Sequence, residues 1–326
     1  MYNYNIFHEE IMQSLIDSVN NSKTSNAYIF EGPKGMYKHE CARLFAAALT
    51  CESNNAPCGV CHNCTLSLAN TNSDIKLIEK PKDKKTIDVE TIRNVNSDAY
   101  IRPFASKRKV YIIDDGDAMT VEAQNAFLKT FEEPPEYAVF IIVAQSANNL
   151  LQTIISRAEV ITFTPVSKQR ILKYIRETYP NEQYREVFLQ NYCEGIPGRV
   201  DEIVADTDFD DLRSQSLQFL PALLSKKTQS AFEIEEFINK NSDKTQIIFD
   251  FWISFLRDLL VLECSAFDNL INVDKMSEIK SISQSVSAPT VTFALDTLFE
   301  GKRMVDRYVK ASAVALRCAL KIKEPL

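Results

Sequence analysis

Residues Ile29–Ala42 read IFEGPKGMYKHECA: an apolar run, a glycine turn, a lysine and then a stretch of helix formers. Strand, loop and helix in that order make a phosphate-binding turn, where backbone N–H groups at a helix start face an anion. A working loop reads G-x-x-x-x-G-K-[ST]. Gly32 and Lys38 fit the spacing, whereas Tyr37 stands at the second glycine and His39 at the hydroxyl residue. The stretch points to a strand–turn–helix unit that either is a nucleotide site since lost or never was one.

Working outward, Ala27–Phe30 is the buried strand before the turn, and HECARLFAAALTC is the helix after it, delivering Cys51 to a cysteine-rich segment. SDIKLIEK is a second strand and IDVETIRNVNSDAY a helix capped by Asp88. KVYIIDDGDAM is a third strand closing on Asp114 and Asp115. TVEAQNAFLKTFEEPP is a helix begun by Thr120 and stopped by Pro134 and Pro135. AVFIIVAQS and AEVITF are a fourth and a fifth strand, with LLQTIISR a short helix or turn between them. At the N-terminus Ile11, Leu15, Ile16 and Val19 recur at helical spacing. Continuously apolar strands alternating with helices predict a mostly parallel sheet covered on both faces.

That α/β domain is expected to span residues 1–165. Residues 166–207 carry helical patterns only, broken by EGIPGR, and from 208 to 326 there is no convincing strand. Long amphipathic patterns such as QIIFDFWISFLRDLLVLE and VTFALDTLFEGKRMVDRYVKASAVALRCALKI predict an all-helical C-terminal domain. A length of 326 residues accommodates such a division. Only 7 glycines and 12 prolines suit a helix-rich chain.

The formal charge of −7 and pI near 5.2 argue against wrapping nucleic acid by bulk charge. The basic clusters KPKDKK (Lys80 to Lys85) and RPFASKRK (Arg102 to Lys109) read as solvated loop charges that could face DNA in an assembly. The start lacks a basic n-region and an apolar h-region, so no signal peptide is expected. No apolar run is long enough to span a bilayer. A cytoplasmic protein without a membrane partner is expected.

Four of eight cysteines, Cys51, Cys58, Cys61 and Cys64, are spaced C-x6-C-x2-C-x2-C. In a reducing compartment such a group does not persist as disulfides. Two-residue gaps let thiolates turn onto one centre, and four soft ligands close a tetrahedron around Zn2+ with no open position. A structural zinc module over residues 51–64 is expected. A metal-free reduced loop is the alternative, and the spacing departs from ferredoxin-type clusters. His62 sits between two of the cysteines and is expected to point outward. Cys41, Cys193, Cys264 and Cys318 lie among apolar neighbours and are expected in the core.

The order of these motifs resembles that of the AAA+ subunits of the bacterial replication clamp loader. AQNAFLKTFEEPP is the most telling piece, close to the family's A-x-N-A-L-L-K-x-L-E-E-P-P. The resemblance implies an AAA+ α/β domain with the zinc module inserted, a small helical lid (166–207) and a helical collar (208–326) through which subunits form a ring. The family contains ATP-hydrolysing motor subunits (gamma/tau), a delta subunit and a non-hydrolysing partner, and this sequence resembles the last. Its neighbours would then be gamma/tau and delta, with the sliding clamp and primer-template DNA reached through the assembly, which serves a DNA-directed DNA polymerase.

Tyr37 puts a phenol where the backbone must bend around phosphates. His39 is a poor substitute for a hydroxyl on Mg2+. Asp114 matches the metal-associated Asp, and Asp115 takes the place of the catalytic Glu with one methylene fewer. Lys38 alone does not make an ATPase, so ATP is not expected to be bound by this chain. TIISR matches the family's Ser-Arg-Cys motif at Ser156 and Arg157, with Ala158 in place of Cys. There the resemblance implies an arginine finger acting in trans on a neighbour's ATP. Arg199 in GIPGR resembles a second-sensor arginine, and Gln145 and Ser146 fall near the first-sensor position. Two other readings stay open: a gamma/tau-type ATPase with unorthodox loop chemistry, and a zinc-dependent nucleic-acid-binding module.

Overall fold

Five short runs of apolar residues pair into one sheet. They are β1 (Ala27–Glu31), β2 (Ile75–Ile78), β3 (Lys109–Ile113), β4 (Ala138–Ala144) and β5 (Glu159–Thr162). In this computed structural model, which describes residues 7–81, 84–307 and 309–323, every strand pair is parallel and the order is β2-β3-β4-β1-β5. β3 and β4 are buried along their whole length, while the edge strands β2 and β5 are largely open. The helices of this part are α1 (Glu9–Asn20), α2 (Lys38–Leu49), α3 (His62–Leu68), α4 (Val89–Ala99), α5 (Val121–Glu132) and α6 (Gln152–Ile155).

Strand periodicity sends alternate residues to opposite faces. Ala27, Ile29, Tyr111, Ile113, Phe140 and Ile142 join one core with side chains of α4, α5 and α6. Tyr28, Phe30, Val110, Ile112, Val139 and Ile141 join the other with Met12 and Leu15 of α1 and Cys41, Ala42 and Phe45 of α2. Helix starts follow side-chain capping. The Asp88 carboxylate accepts from Thr91 N (2.9 Å), and the Thr120 hydroxyl accepts from Ala123 N (3.2 Å).

The chain divides into two compact units: one runs to Val166 and takes in Ile196–Gly198, the other comprises Ser167–Gly195 and the chain from Arg199 onward. The second contains α7 (Lys168–Thr178), α8 (Glu186–Tyr192), most of α9 (Pro197–Ala205), α10 (Phe209–Leu224), α11 (Gln229–Lys240), α12 (Thr245–Glu263), α13 (Met276–Ser283), α14 (Ala288–Asp306) and α15 (Ala311–Lys323). Its core is built on α12, where Phe249, Phe251, Trp252 and Phe255 are fully buried and the Trp252 indole donates to Ser216 O (2.9 Å). Asp258, with no exposed surface, accepts from Asn272 N (2.7 Å) and Ile271 N (3.0 Å), fixing the segment after α12.

The long C-terminal apolar pattern forms two helices, α14 and α15, because folding back lets each bury its apolar stripe against the other and against α11 and α12. One expectation is corrected. Cys264 is exposed: it follows the last turn of α12, beyond the apolar face of that helix. Cys41, Cys193 and Cys318 are buried. Residues 1–6, and Lys82 and Asp83 of the first basic cluster, lie outside the described residues. Among the described residues no helix is long and apolar enough to cross a membrane.

Candidate functional site

β1 delivers the turn to the place where the strand order reverses, between β4 and β5, which is where open parallel sheets form ligand crevices. Gly32 begins it at φ 148°, its N–H donating to Gln145 O (3.2 Å). A Cβ there would lie 2.3 Å from Phe163 O, so only glycine fits.

Beyond Gly32 the turn is closed on itself. Lys38, 6% exposed, donates through Nζ to Gly32 O (2.6 Å) and Pro33 O (2.8 Å). Burial pulls its pKa below the usual lysine range, against the raising pull of Asp117, Asp114 and Asp115. Tyr37 adopts the left-handed conformation (φ 55°) and stacks on the buried ring of Phe7, with centroids 5.7 Å apart. His8 Nε2 donates to Met36 O (2.9 Å). Gly198, the second glycine of GIPGR, donates its N–H to Gly35 O (2.9 Å) so closely that a Cβ on it would meet Gly35 Cα at 2.7 Å. Four successive residues of the turn, Gly35 to Lys38, are thus engaged from within the chain.

The acidic side is occupied too. His39 Nδ1 lies 3.1 Å from Asp114 Oδ2, off the direction of an aligned hydrogen bond, and the contact is one of charge where the imidazole is protonated. The Asp114 contact raises the His39 pKa above its ordinary value despite burial. Burial acts to raise the Asp114 carboxyl, but His39, the Asp115 N–H and Lys38 together outweigh it and hold it below the usual range. Asp115 is exposed, in left-handed backbone (φ 51°), and pairs with Lys80 at 2.7 Å.

Two residues passed over in the sequence organise this edge. Asp117 accepts from Gln145 N (2.5 Å) and Asn149 Nδ2 (2.8 Å), tying the turn after β3 to the turn after β4. Glu31 accepts from Ala147 N (2.9 Å) and from the Thr162 hydroxyl (2.9 Å). The third acid in DDGDAM and the acid closing β1 were the available signals.

Ser156 and Arg157 follow α6 on the surface. Arg157 is 37% exposed, donates to Thr153 O (2.9 Å) and pairs with Glu132 of the EEPP motif at 2.8 Å. Such a pair is worth at most about 1 kcal/mol in water. Arg199, also exposed, pairs with Glu194 at 3.1 Å.

At the C-terminal end of α2 the four sulfur atoms of Cys51, Cys58, Cys61 and Cys64 all lie within 4.8 Å of one another. Cys51 and Cys61 Sγ are 3.9 Å apart, close to the ~3.8 Å edge of a tetrahedron with metal–sulfur bonds of ~2.3 Å. Ser53 N, Cys61 N and Cys64 N donate to the sulfurs of Cys51, Cys58 and Cys61, each at 3.4 Å. The N–H groups of Val60 and Cys61 draw the Cys58 thiol down to about 6, favouring a thiolate. The group can hold a metal ion, and the donor set suits a soft or borderline one. His62 is exposed and stands outside it.

Family models described as "DNA polymerase III, delta subunit" and its C-terminal part match residues 7–167 and 207–310. The chain belongs to the DNA polymerase III clamp-loader subunit family. Among its relatives in that family, DNA polymerase III subunit delta' of Bacillus subtilis is 26% identical over 96% of this chain and 95% of its own. Subunit tau of the same organism is 26% identical over 89% of this chain and 55% of its own. A gamma subunit-related protein of Thermotoga maritima superposes with a TM-score of 0.48 at 20% identity, covering 96% of this chain and 99% of its own.

Proposed function

We propose that this chain is a delta-prime-type subunit: a clamp-loader component that does not hydrolyse ATP and supplies Arg157 to a neighbouring ATP site. The observation that carries the reading is the self-occupied phosphate loop. Lys38 is bonded to the carbonyls of its own turn, Tyr37 stacks on Phe7 and the Gly198 N–H donates to Gly35 O, so the cation and the backbone of the turn are engaged within the chain rather than held open for a triphosphate. Arg157 is the contrasting case, a guanidinium at the surface whose partners, Glu132, Thr153 O and the Ser156 hydroxyl, are themselves at the surface. Its planar fork suits the charge that spreads over a transferred phosphoryl group.

In this reading the Cys51, Cys58, Cys61 and Cys64 group holds a structural Zn2+. Residues 166–207 serve as the lid and 208–326 as the collar that joins gamma/tau and delta subunits in a cytoplasmic ring. Arg199 would be a residual second-sensor arginine held by Glu194. The sliding clamp and primer-template DNA are reached through the assembly.

The test is ATP hydrolysis by the reconstituted complex. Arg157→Ala is expected to slow the served site by on the order of 10^3, with a smaller fall in bulk rate because other sites keep their own arginines. Arg157→Lys should rescue poorly, and Lys38→Ala should change little. The reading fails if Lys38→Ala abolishes hydrolysis while Arg157→Ala is silent.

A further inference from the structure

Four arginines among the described residues are at least partly buried, and three of them are answered within the chain. Arg108 reaches Glu136 O, Arg185 pairs with Glu182 and Asp210, and Arg213 with Asn272 and Asp274. Arg43 of α2 makes no hydrogen bond or ion pair with any described residue. A guanidinium carries five N–H donors and keeps its charge, so drawing it in from water without a partner is costly. Arg43 borders a recess of about 190 Å³ between α2, the end of α3 and the edge strand β2. Ile75, Leu77 and fully buried Ile112 give the recess an apolar floor. Ser67 and Asn72 form a locked wall: the Ser67 hydroxyl donates to Asn63 O (2.7 Å), Asn72 Nδ2 donates to the Ser67 hydroxyl (3.1 Å), and Asn72 Oδ1 accepts from Asp74 N (3.0 Å). Asn70, in left-handed backbone at φ 59°, stands at the rim with a side-chain amide that also lacks a partner among the described residues.

The lining sets the chemistry of an occupant. One unanswered cation, with no carboxylate among the described lining residues, calls for an anion. The planar fork of an arginine matches a carboxylate through two parallel N–H···O bonds, and the Asn70 amide has donors to spare. The apolar floor is wasted on a hydrated inorganic anion and suits a hydrocarbon stem, which gains from every part of its surface removed from water. At about 190 Å³ the recess is smaller than the ~300–1,000 Å³ that drug-sized ligands take, so a nucleotide is too large. We propose that this recess binds a free short-chain aliphatic carboxylate, with Arg43 as its counter-charge. A polypeptide laid along the open flank of β2 is the less suited source. That strand has four residues, and its Ile75 N–H is already bonded to Asn72 O (3.2 Å), which leaves little edge for an added strand. No residue of the phosphate loop or the cysteine group lines the recess, nor does Arg157, so its occupancy is independent of the clamp-loader reading.

The full chain would be titrated with isocaproate, with its neutral amide, and with an acetylated, amidated strand peptide centred on glutamate, and inorganic phosphate would serve as competitor. Binding is read from saturation transfer to the ligand methyl groups and from Tm. Isocaproate is expected to bind saturably and to raise Tm, and the amide to bind at least tenfold more weakly, because the charge-assisted bonds are lost. Arg43→Gln should weaken isocaproate at least tenfold without lowering the Tm of the free chain, since the cation has no partner there to lose. Asn70→Asp, at an exposed position that tolerates the change, should also exclude the acid by giving Arg43 an internal carboxylate. Isocaproate affinity unchanged in both variants would overturn the site, as would an amide that binds as tightly as the acid. Phosphate displacing isocaproate at equal concentration would make it a general anion site and overturn the ligand class. A peptide that binds where the free acid does not would overturn the free-acid occupant, and no binding of any probe would overturn the site altogether.

Discussion

Helix α2 has a ligand-type loop at each end, and the two have met different fates. At its N-terminal end the groups of a nucleotide site remain in part, but each charge is satisfied inside the chain: Lys38 by Gly32 O and Pro33 O, His39 by Asp114, Asp115 by Lys80. At its C-terminal end four sulfurs converge, and they meet backbone N–H groups and one another. Four thiolates at such distances repel strongly unless a cation sits among them. Burial accordingly pushes the Cys64 thiol up to about 12 and raises Cys51, so without a metal these would keep their protons. If the first is a nucleotide site that has been lost and the second a metal site that works, the lesson is that a site goes when its charges find internal partners and stays when its donors still lack a counter-charge.

The largest effect that sharpens this contrast is metal removal. Purified wild-type protein is expected to contain about one equivalent of zinc, and Cys61→Ser or exhaustive chelation should remove it. Apparent metal-binding free energies in small cysteine-rich sites are about 10–16 kcal/mol, so protease sensitivity should rise sharply over residues 51–64. Far-UV helicity should largely persist, because the metal closes one inserted loop. Lys38→Ala should leave metal content untouched. Wild-type protein purified without chelators and found free of metal would erase the contrast.

A second comparison places an alanine in each loop. Gly32→Ala drives a Cβ to 2.3 Å from Phe163 O in left-handed backbone, whereas Gly59, at φ 74° in the cysteine loop, has nothing within 4 Å of its Cβ position. The first should cost roughly 3 kcal/mol, as overpacking and strain add. The second should cost about 1 kcal/mol from backbone conformation alone. For a unit of this size each kcal/mol lowers Tm by about 2–4 °C. Equal shifts would mean that the phosphate loop is no more tightly built than the cysteine loop.

Much of this was legible in the chain. Strand positions, the parallel sheet and the caps at Asp88 and Thr120 follow from apolar runs bounded by polar caps, which are local signals. The cysteine cluster was legible because ligand spacing is local too. The closure of the phosphate loop was not, since it depends on Phe7 and Gly198, which are distant in sequence from Tyr37 and Gly35. Asp117 and Glu31 were hidden for the same reason: each joins turns that follow different strands, and a single acid at a strand end carries no pattern. Cys264 misled because apolar neighbours on α12 say nothing about where that helix stops.

The smallest effect probes whether the His39–Asp114 contact is ionic. The His39 pKa is raised in the folded protein, so its contribution is complete below the unfolded value of about 6.5 and fades as pH rises through the folded value. The Asp114 pKa is lowered, so its contribution is present above about 3.9 and is lost as pH falls through the folded value. Between those limits both charges are in place. The side chains are 23% and 29% exposed, so screening should hold the effect to about 1 kcal/mol. The stability difference between wild type and His39→Gln should therefore be greatest near pH 5.5 and shrink toward pH 8.5. Amide exchange at the start of α2 should quicken over the same interval in the wild type alone. A difference that stays flat from pH 5 to 8.5 would show a neutral imidazole packed beside Asp114, and Asp114 would then lack the counter-charge that Lys80 gives to Asp115.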